Sequence, residues 1–258
     1  MWNNQWKRTF RDMRTVILHY HLFKNAGTSL DQILKDNFGK AWVTREFSSS
    51  GRPDGNTPDV EAWIKNNPDA VAFSSHTMMG PLPRIEGVRV ISIMLLRDPI
   101  ERIKSAYRFE QKQESETFGA VLAKHTDFEG YVKVRLSLPH DRQCRNFQTY
   151  RLAALVPGAD PELERAKRGL ERLTVVGFVS DFTHALERLT VAIADAFPDF
   201  RGAEIHSNRS TSGHRLELEE ELEALLRRYN ADDLALLGNY AQSTTGAATF
   251  TSGTKGFR

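Results

Sequence analysis

Apolar positions change their spacing several times along the chain, and each change marks an element. Val16-Ile17-Leu18-His19-Tyr20 is a short apolar run of strand formers, followed by a turn at Gly27 and by Leu30, Ile33 and Leu34 spaced for one helix face. This order is strand, loop, helix, and Gly39 after Phe38 supplies the permissive backbone on which a helix can end. Serine, glycine and proline crowd residues 48–58, which predicts an exposed loop suited to cover a substrate. Residues 69–73 read as a second strand and residues 88–96 as the strongest one. Because the latter is apolar on both faces, it is expected at the centre of a parallel sheet with helices on each side. Asp98-Pro99 opens the next helix, with Asp98 as N-cap and proline at the first helical position, where its missing N–H costs nothing.

Residues 117–155 carry a helical pattern broken by Pro139. Another helix starts at Asp160-Pro161, and residues 173–179 form a late buried strand. Asp181 is placed to cap a helix whose core face is Phe182, Leu186, Leu189, Ile193 and Phe197, ended by Pro198. Near the C-terminus Leu218, Leu222, Leu225, Leu226 and Tyr229 recur at helical spacing opposite Glu219, Glu220, Glu221 and Glu223, an acidic face expected in water. Strands alternating with helices predict an α/β fold: a single P-loop-like domain over residues 1–258 with a mostly parallel central sheet flanked by helices. Its core spans about residues 15–240, and residues 243–258 read as a flexible low-complexity tail.

Composition narrows the class. With 258 residues, 40% hydrophobic and 26% charged, the chain can bury a full α/β core. A net charge of +2 is too small for general nucleic-acid binding, so any anion site must be local. Cys144 is the only cysteine, which excludes an intramolecular disulfide and fits a reducing compartment. The N-terminus lacks an apolar signal core and no run reaches the ~20 apolar residues of a membrane helix, so the expectation is a cytoplasmic protein without a transmembrane segment. Arg8, Arg11 and Arg14, with Trp6 and Phe10, suit either contact with a membrane surface or, the stronger reading, a solvated N-terminal segment.

The loop between the first strand and helix has the makings of an anion site, because unpaired N–H groups and the positive end of the helix dipole converge there. Lys24 supplies charge, Gly27 lets the backbone approach, and Thr28 and Ser29 offer hydroxyls. By itself this pattern also fits an ordinary capped turn. Arg97 at the end of the central strand and Ser105 two turns into the next helix, roughly 10 Å along its axis, form a second candidate grip. The carboxyl edge of an open α/β sheet is where ligands bind.

These segments together resemble the sulfotransferases that use 3′-phosphoadenosine-5′-phosphosulfate (PAPS), especially the bacterial family 2 proteins and their heparan-sulfate 2-O-sulfotransferase relatives. His21-Leu22-Phe23-Lys24-Asn25-Ala26-Gly27-Thr28-Ser29 is similar to the family's H-x-P-K-T/N-A/G-G-T-S segment, with Phe23 in place of proline. Residues 97–107, Arg97-Asp98-Pro99 through Arg102 and Ser105 to Tyr107, meet R-D-P-x-x-R-x-x-S-x-Y in full. Weaker similarity lies in Asn146-Phe147-Gln148-Thr149, Val176-Gly177-Phe178, His206-Ser207-Asn208-Arg209-Ser210 and, faintly, Ser252-Gly253-Thr254-Lys255-Gly256. The resemblance implies that Lys24, Asn25, Ala26, Gly27, Thr28 and Ser29 bind the 5′-phosphosulfate, and that Arg97 and Ser105 bind the 3′-phosphate.

Moving a sulfuryl group requires a base for the acceptor proton and positive charge on the departing phosphate. Lys24 is the expected charge. His76 is the expected base, since Ser75-His76-Thr77-Met78-Met79-Gly80 resembles the family's G-H-x-x-x-G segment, with Ser75 replacing glycine. His19 and His21 share one strand face and flank the same loop. Glu46 and Glu110 have nothing local that would raise their pKa, and no motif makes Cys144 a nucleophile. No Cys, His, Asp or Glu cluster has metal-ligand spacing, so no metal is expected. The resemblance implies a small-molecule or glycan acceptor, with a carbohydrate hydroxyl first. Two other readings are a P-loop kinase, which lacks the Walker spacing because Lys24 precedes Gly27, and a noncatalytic nucleotide-binding module.

Overall fold

The computed structural model describes residues 13–48, 51–202 and 217–249, with side chains described as far as residue 240. It divides into two compact units, one made of residues 1–97 and 151–215 and the other of residues 98–150 and 216–258. Both units are discontinuous in sequence, so no single cut along the chain separates them.

The first unit carries a five-stranded, all-parallel sheet. Its strands are β1 (Arg14–Tyr20), β2 (Trp42–Thr44), β3 (Ala72–Ser75), β4 (Val88–Leu96) and β5 (Val175–Phe178), in the order β2-β3-β1-β4-β5. In register, Ile17 stands between Ala72 and Ile91, and Leu95 stands beside Gly177. The sequence places β1, β4 and β5 well. It misses three-residue β2 and sets the third strand a few residues early.

Alternation along the strands decides which helix covers which face. Ile17, Ala72, Ile91, Ile93, Leu95 and Val175 pack with Leu30, Ile33 and Leu34 of α1 (Gly27–Phe38). Leu186, Leu189 and Ile193, from the later helix Phe182–Ile193, join the same cluster. On the opposite face, Phe73 meets Trp63 edge-on at 4.9 Å. Trp63 belongs to α2 (Thr57–Asn66), a helix that the loop-like composition before it conceals. Residues 52–57, expected in a lid, are instead fastened down: Asn56 donates to Thr77 O at 2.7 Å and accepts from Met79 N at 2.9 Å. Arg14, expected in solvent, donates to the carbonyls of Ile64, Asn67 and Ala70 at the end of α2.

The second unit is helical. It contains α3 (Pro99–Lys112), α4 (Phe118–His125), α5 (Phe128–Ser137) and most of α6 (Phe147–Ala153), whose last residues belong to the first unit. After α7 (Glu162–Arg172) and α8 (Phe182–Ile193) of the sheet unit, α9 (Glu220–Tyr229) and α10 (Ala231–Thr249) complete it. Ile103, Tyr131, Val132, Cys144 and Leu226 form its core. Asp98 caps α3 as expected, accepting from the amides of Ile100 and Glu101 at 3.0 Å each. Asp181 precedes α8 but makes no side-chain cap. Glu219, Glu220 and Glu221 are exposed, as their pattern predicts. Helix α10 continues to Thr249, past the point where a flexible tail is expected; residues 250–258 and the segment His206-Ser207-Asn208-Arg209-Ser210 lie outside the described residues. Among the described residues no helix is long and apolar enough to cross a membrane.

Candidate active site

Strand polarity gathers the polar groups at one edge of the sheet. Lys24 follows β1, Glu46 follows β2, His76 follows β3 and Arg97 follows β4, each within four residues of its strand's carboxyl end. The chain leaves β1 toward β2 and leaves β4 toward β5, so β1 and β4 flank the switch point where open α/β sheets form a crevice.

The loop after β1 has the backbone of an anion nest. Lys24 (φ 64°) and Ala26 (φ 57°) are both left-handed, with Asn25 between them outside that region. Such alternation turns successive N–H groups to one side. Left-handed non-glycine residues cost on the order of 1 kcal/mol each, and the fold holds them with specific bonds. The Asn25 amide donates to Leu95 O at 2.8 Å and Arg97 Nη1 donates to Lys24 O at 3.1 Å, tying the loop to β4. Helix α1 starts at Gly27, so the amides of Gly27 and Thr28 have no intrahelical acceptor, whereas Ser29 N already donates to Ala26 O at 3.1 Å. Thr28 is exposed and Ser29 half-buried. Burial first, and then the Arg97 charge, pushes the Lys24 ammonium below the ordinary lysine range. Two cations placed this close favour an anion between them.

Three imidazoles lie beside the loop. The His21 ring stacks on His19 at 5.1 Å and packs on His76 at 3.8 Å between centroids. A Cβ on Gly27 would lie 2.0 Å from His21 Cδ2, so the ring occupies the space that glycine leaves. Residue by residue, contact thus runs from the loop after β1 through His21 to His76.

Carboxylates orient these rings. Asp31 on α1 accepts from His19 Nδ1 through one oxygen at 2.7 Å and from His21 Nδ1 through the other at 2.8 Å. Burial opposes its ionisation, but the hydrogen bonds from His19 and His21 outweigh it and hold the carboxyl far below the usual range. Local spacing did not reveal this trio as a possible metal cluster; the fold creates it by bringing α1 against β1. Its separations, 2.7 and 2.8 Å, are those of hydrogen bonds. The trio is a clamp on two rings.

Glu46 is the residue that local sequence undervalues. It lies 30 positions before His76, yet its Oε1 accepts from His76 Nδ1 at 2.8 Å and from the His76 amide at 3.2 Å. Arg151 donates to the carbonyls of His76 and Met78 at 2.8 Å each. Gly80, the last residue of the motif, has φ 123° and packs where a Cβ would meet Asp54 O at 2.1 Å, which explains why no larger residue ends it.

Other motif residues prove structural. Arg102 is fully buried, stacks over Phe147 at 4.5 Å and bonds Gln143; the Tyr107 hydroxyl donates to Thr126 O at 2.9 Å. Ser105 sits half-buried on α3 in the helical unit, whereas Arg97 ends the first stretch of the sheet unit. Asn146, Gln148 and Thr149 serve that helical unit through Asn230, Asp232 and Asp233. Glu110 is buried in a pair with Arg135 at 2.9 Å. Cys144 is buried, and burial pushes its thiol up to about 12, which rules out a surface thiol and an activated nucleophile.

The chain matches the model of the sulfotransferase family over residues 7–237, and it belongs to that family. It is an enzyme of sulfuryl transfer. It is also 38% identical over 227 residues to an uncharacterized protein of Archaeoglobus fulgidus, an alignment covering 85% of this chain and 88% of the relative.

Proposed function

We propose that the protein transfers the sulfuryl group of PAPS to a hydroxyl, with a carbohydrate as the first acceptor class, and that residues 1–258 act as one catalytic domain. The observation that carries this reading is the left-handed loop of Lys24 and Ala26, pinned to β4 and touching His76 through His21. A nest with a lysine beside it suits a phosphosulfate, and the similarity to heparan-sulfate 2-O-sulfotransferases favours the sugar hydroxyl.

In the proposed reaction the acceptor oxygen bonds to sulfur as the bond from sulfur to the 5′-phosphate oxygen breaks. His76 Nε2 takes the acceptor proton, and Lys24 with the amides of Gly27 and Thr28 stabilises the charge gathering on the leaving phosphate, releasing 3′-phosphoadenosine-5′-phosphate. Arg97 holds the 3′-phosphate, the group to which the family resemblance also assigns Ser105. Asn25 braces the loop, its side-chain amide donating to Leu95 O at 2.8 Å and its main-chain N–H to Leu22 O at 3.2 Å. The proposed reaction routes no step through a metal.

The test combines binding with turnover. Calorimetry should show 3′-phosphoadenosine-5′-phosphate binding more tightly than ADP or ATP; a preference for ATP would favour a kinase. With radiolabelled PAPS and a panel of sugar acceptors, Lys24→Ala and His76→Ala should each lower kcat by about 100-fold or more, whereas Arg97→Ala should mainly raise the KM for PAPS. Full turnover in Lys24→Ala would refute the assignment.

A further inference from the structure

Among the groups that the reaction above does not use, Glu46 has the densest set of donors aimed at one exposed carboxylate. Besides the two bonds from His76, its Oε2 accepts from Thr77 Oγ1 at 2.7 Å and from Ser75 Oγ at 3.3 Å. Three consecutive residues, Ser75, His76 and Thr77, therefore close around it. Ser75 is the position where the resembled motif has glycine, and here its hydroxyl takes part in the contact.

We propose that Glu46 is a positioning residue: it holds His76 in the Nδ1–H form, leaving Nε2 alone to take the acceptor proton. This rests on the reading of His76 as the base. Burial works against charge on Glu46, but donors from Thr77 and His76 lower its pKa overall, so it is an ionised, acceptor-only group. An acceptor 2.8 Å from Nδ1 places the proton on Nδ1. The ring face is fixed by His21 and the His76 carbonyl by Arg151, so edge, face and main chain of the base are each held. As His76 gains its proton, the adjacent carboxylate stabilises the imidazolium, as the acid of a serine-protease triad does. Glu46 and His76 side chains are 51% and 49% exposed, so orientation and tautomer, more than Coulomb attraction through water, set the size of the effect.

The full-length protein, labelled with ¹⁵N-histidine, tests this by long-range proton–nitrogen correlation, with His76→Ala used to assign the signals. Wild type should show a protonated Nδ1 and a bare Nε2 at His76, and Glu46→Ala should move the ring toward the other tautomer. In transfer from labelled PAPS to a desulfated heparan-sulfate oligosaccharide, Glu46→Ala and Glu46→Gln should lower kcat by about 10–100-fold and leave the KM for PAPS within about twofold. An unchanged tautomer in Glu46→Ala overturns the inference, even if kcat falls, because Glu46 would then act on something other than His76. Undiminished turnover in His76→Ala would sink the base assignment itself, whereas inactive His76→Ala beside fully active Glu46 variants would sink only the role of Glu46.

Discussion

Two carboxylates in this molecule do the same thing in different surroundings. Glu46, beside the sheet edge, gathers four donors from Ser75, His76 and Thr77. Asp233, in the helical unit, gathers four from Gln148 and Thr149: both amides, the Thr149 hydroxyl at 2.6 Å and the Gln148 side chain at 3.4 Å. Glu46 is half exposed and Asp233 is fully buried. Three of the Glu46 donors belong to exposed His76 and half-buried Thr77, where water can replace the carboxylate, and the buried Ser75 hydroxyl also meets Thr77 Oγ1 at 3.4 Å. Glu46 therefore contributes little to folding compared with an acceptor for donors wholly out of water. Inside the protein they would be orphaned, so Asp233 is an N-terminal anchor for α6 and a requirement of the fold. Burial, more than the number of bonds, separates a cluster that the fold can do without from a structural one.

Substitutions can break this distinction, and the largest effect is expected at Asp233. Asp233→Ala leaves two buried amides without an acceptor and should cost about 4 kcal/mol in urea unfolding, while Glu46→Ala should stay within about 1 kcal/mol of wild type. Equal losses at the two sites would refute the comparison. Next comes Gly27→Ala. Its Cβ meets a His21 ring held on one side by Asp31 and on the other by His76, so overpacking of about 3 kcal/mol is expected, together with weakened nucleotide binding by calorimetry.

Asp31→Asn should cost about 2 kcal/mol near neutrality. The sign of its pH dependence follows from a depressed folded pKa: the stabilisation is present above the unfolded aspartate value of about 3.9 and is lost as pH falls toward the folded value. Unfolding free energies of wild type and variant should therefore converge below about pH 4, and a gap constant with pH would count against the clamp. The smallest effect belongs to Arg89→Ala. Arg89 meets Asp195 through two bonds of 2.6 Å, but Asp195 is largely in water, and the loss should be at most about 1 kcal/mol.

Much of this was legible in the sequence. Residues 88–96 coincide with β4, and the Asp98-Pro99 start of α3 is as expected, because central strands and capped helix starts are local patterns. The loop from Lys24 to Ser29 falls where the pattern puts it, and His19 and His21 share a face as alternation requires. Strand β2 was not legible, since three residues are too few to establish a period. Nor was α2, whose start is disguised by the glycines and prolines before it. The eleven-residue motif from Arg97 to Tyr107 reads as one unit, yet its side chains divide: Asp98 caps, Arg102 and Tyr107 pack, and Arg97 braces the loop at Lys24.

By itself the sequence determined the α/β order of elements, the place of the loop from Lys24 to Ser29 and the family to which its motifs point, because periodicity, capping and short motifs act between near neighbours in the chain. Only the tertiary structure decided which side chains meet. Glu46 reaches His76 across 30 positions, and Asp233 reaches Thr149 across 84. Parallel strands bring their carboxyl ends to one edge whatever lies between them, so residues remote in sequence become hydrogen-bond partners. A hydrogen bond depends on separation in space, about which local spacing carries no information.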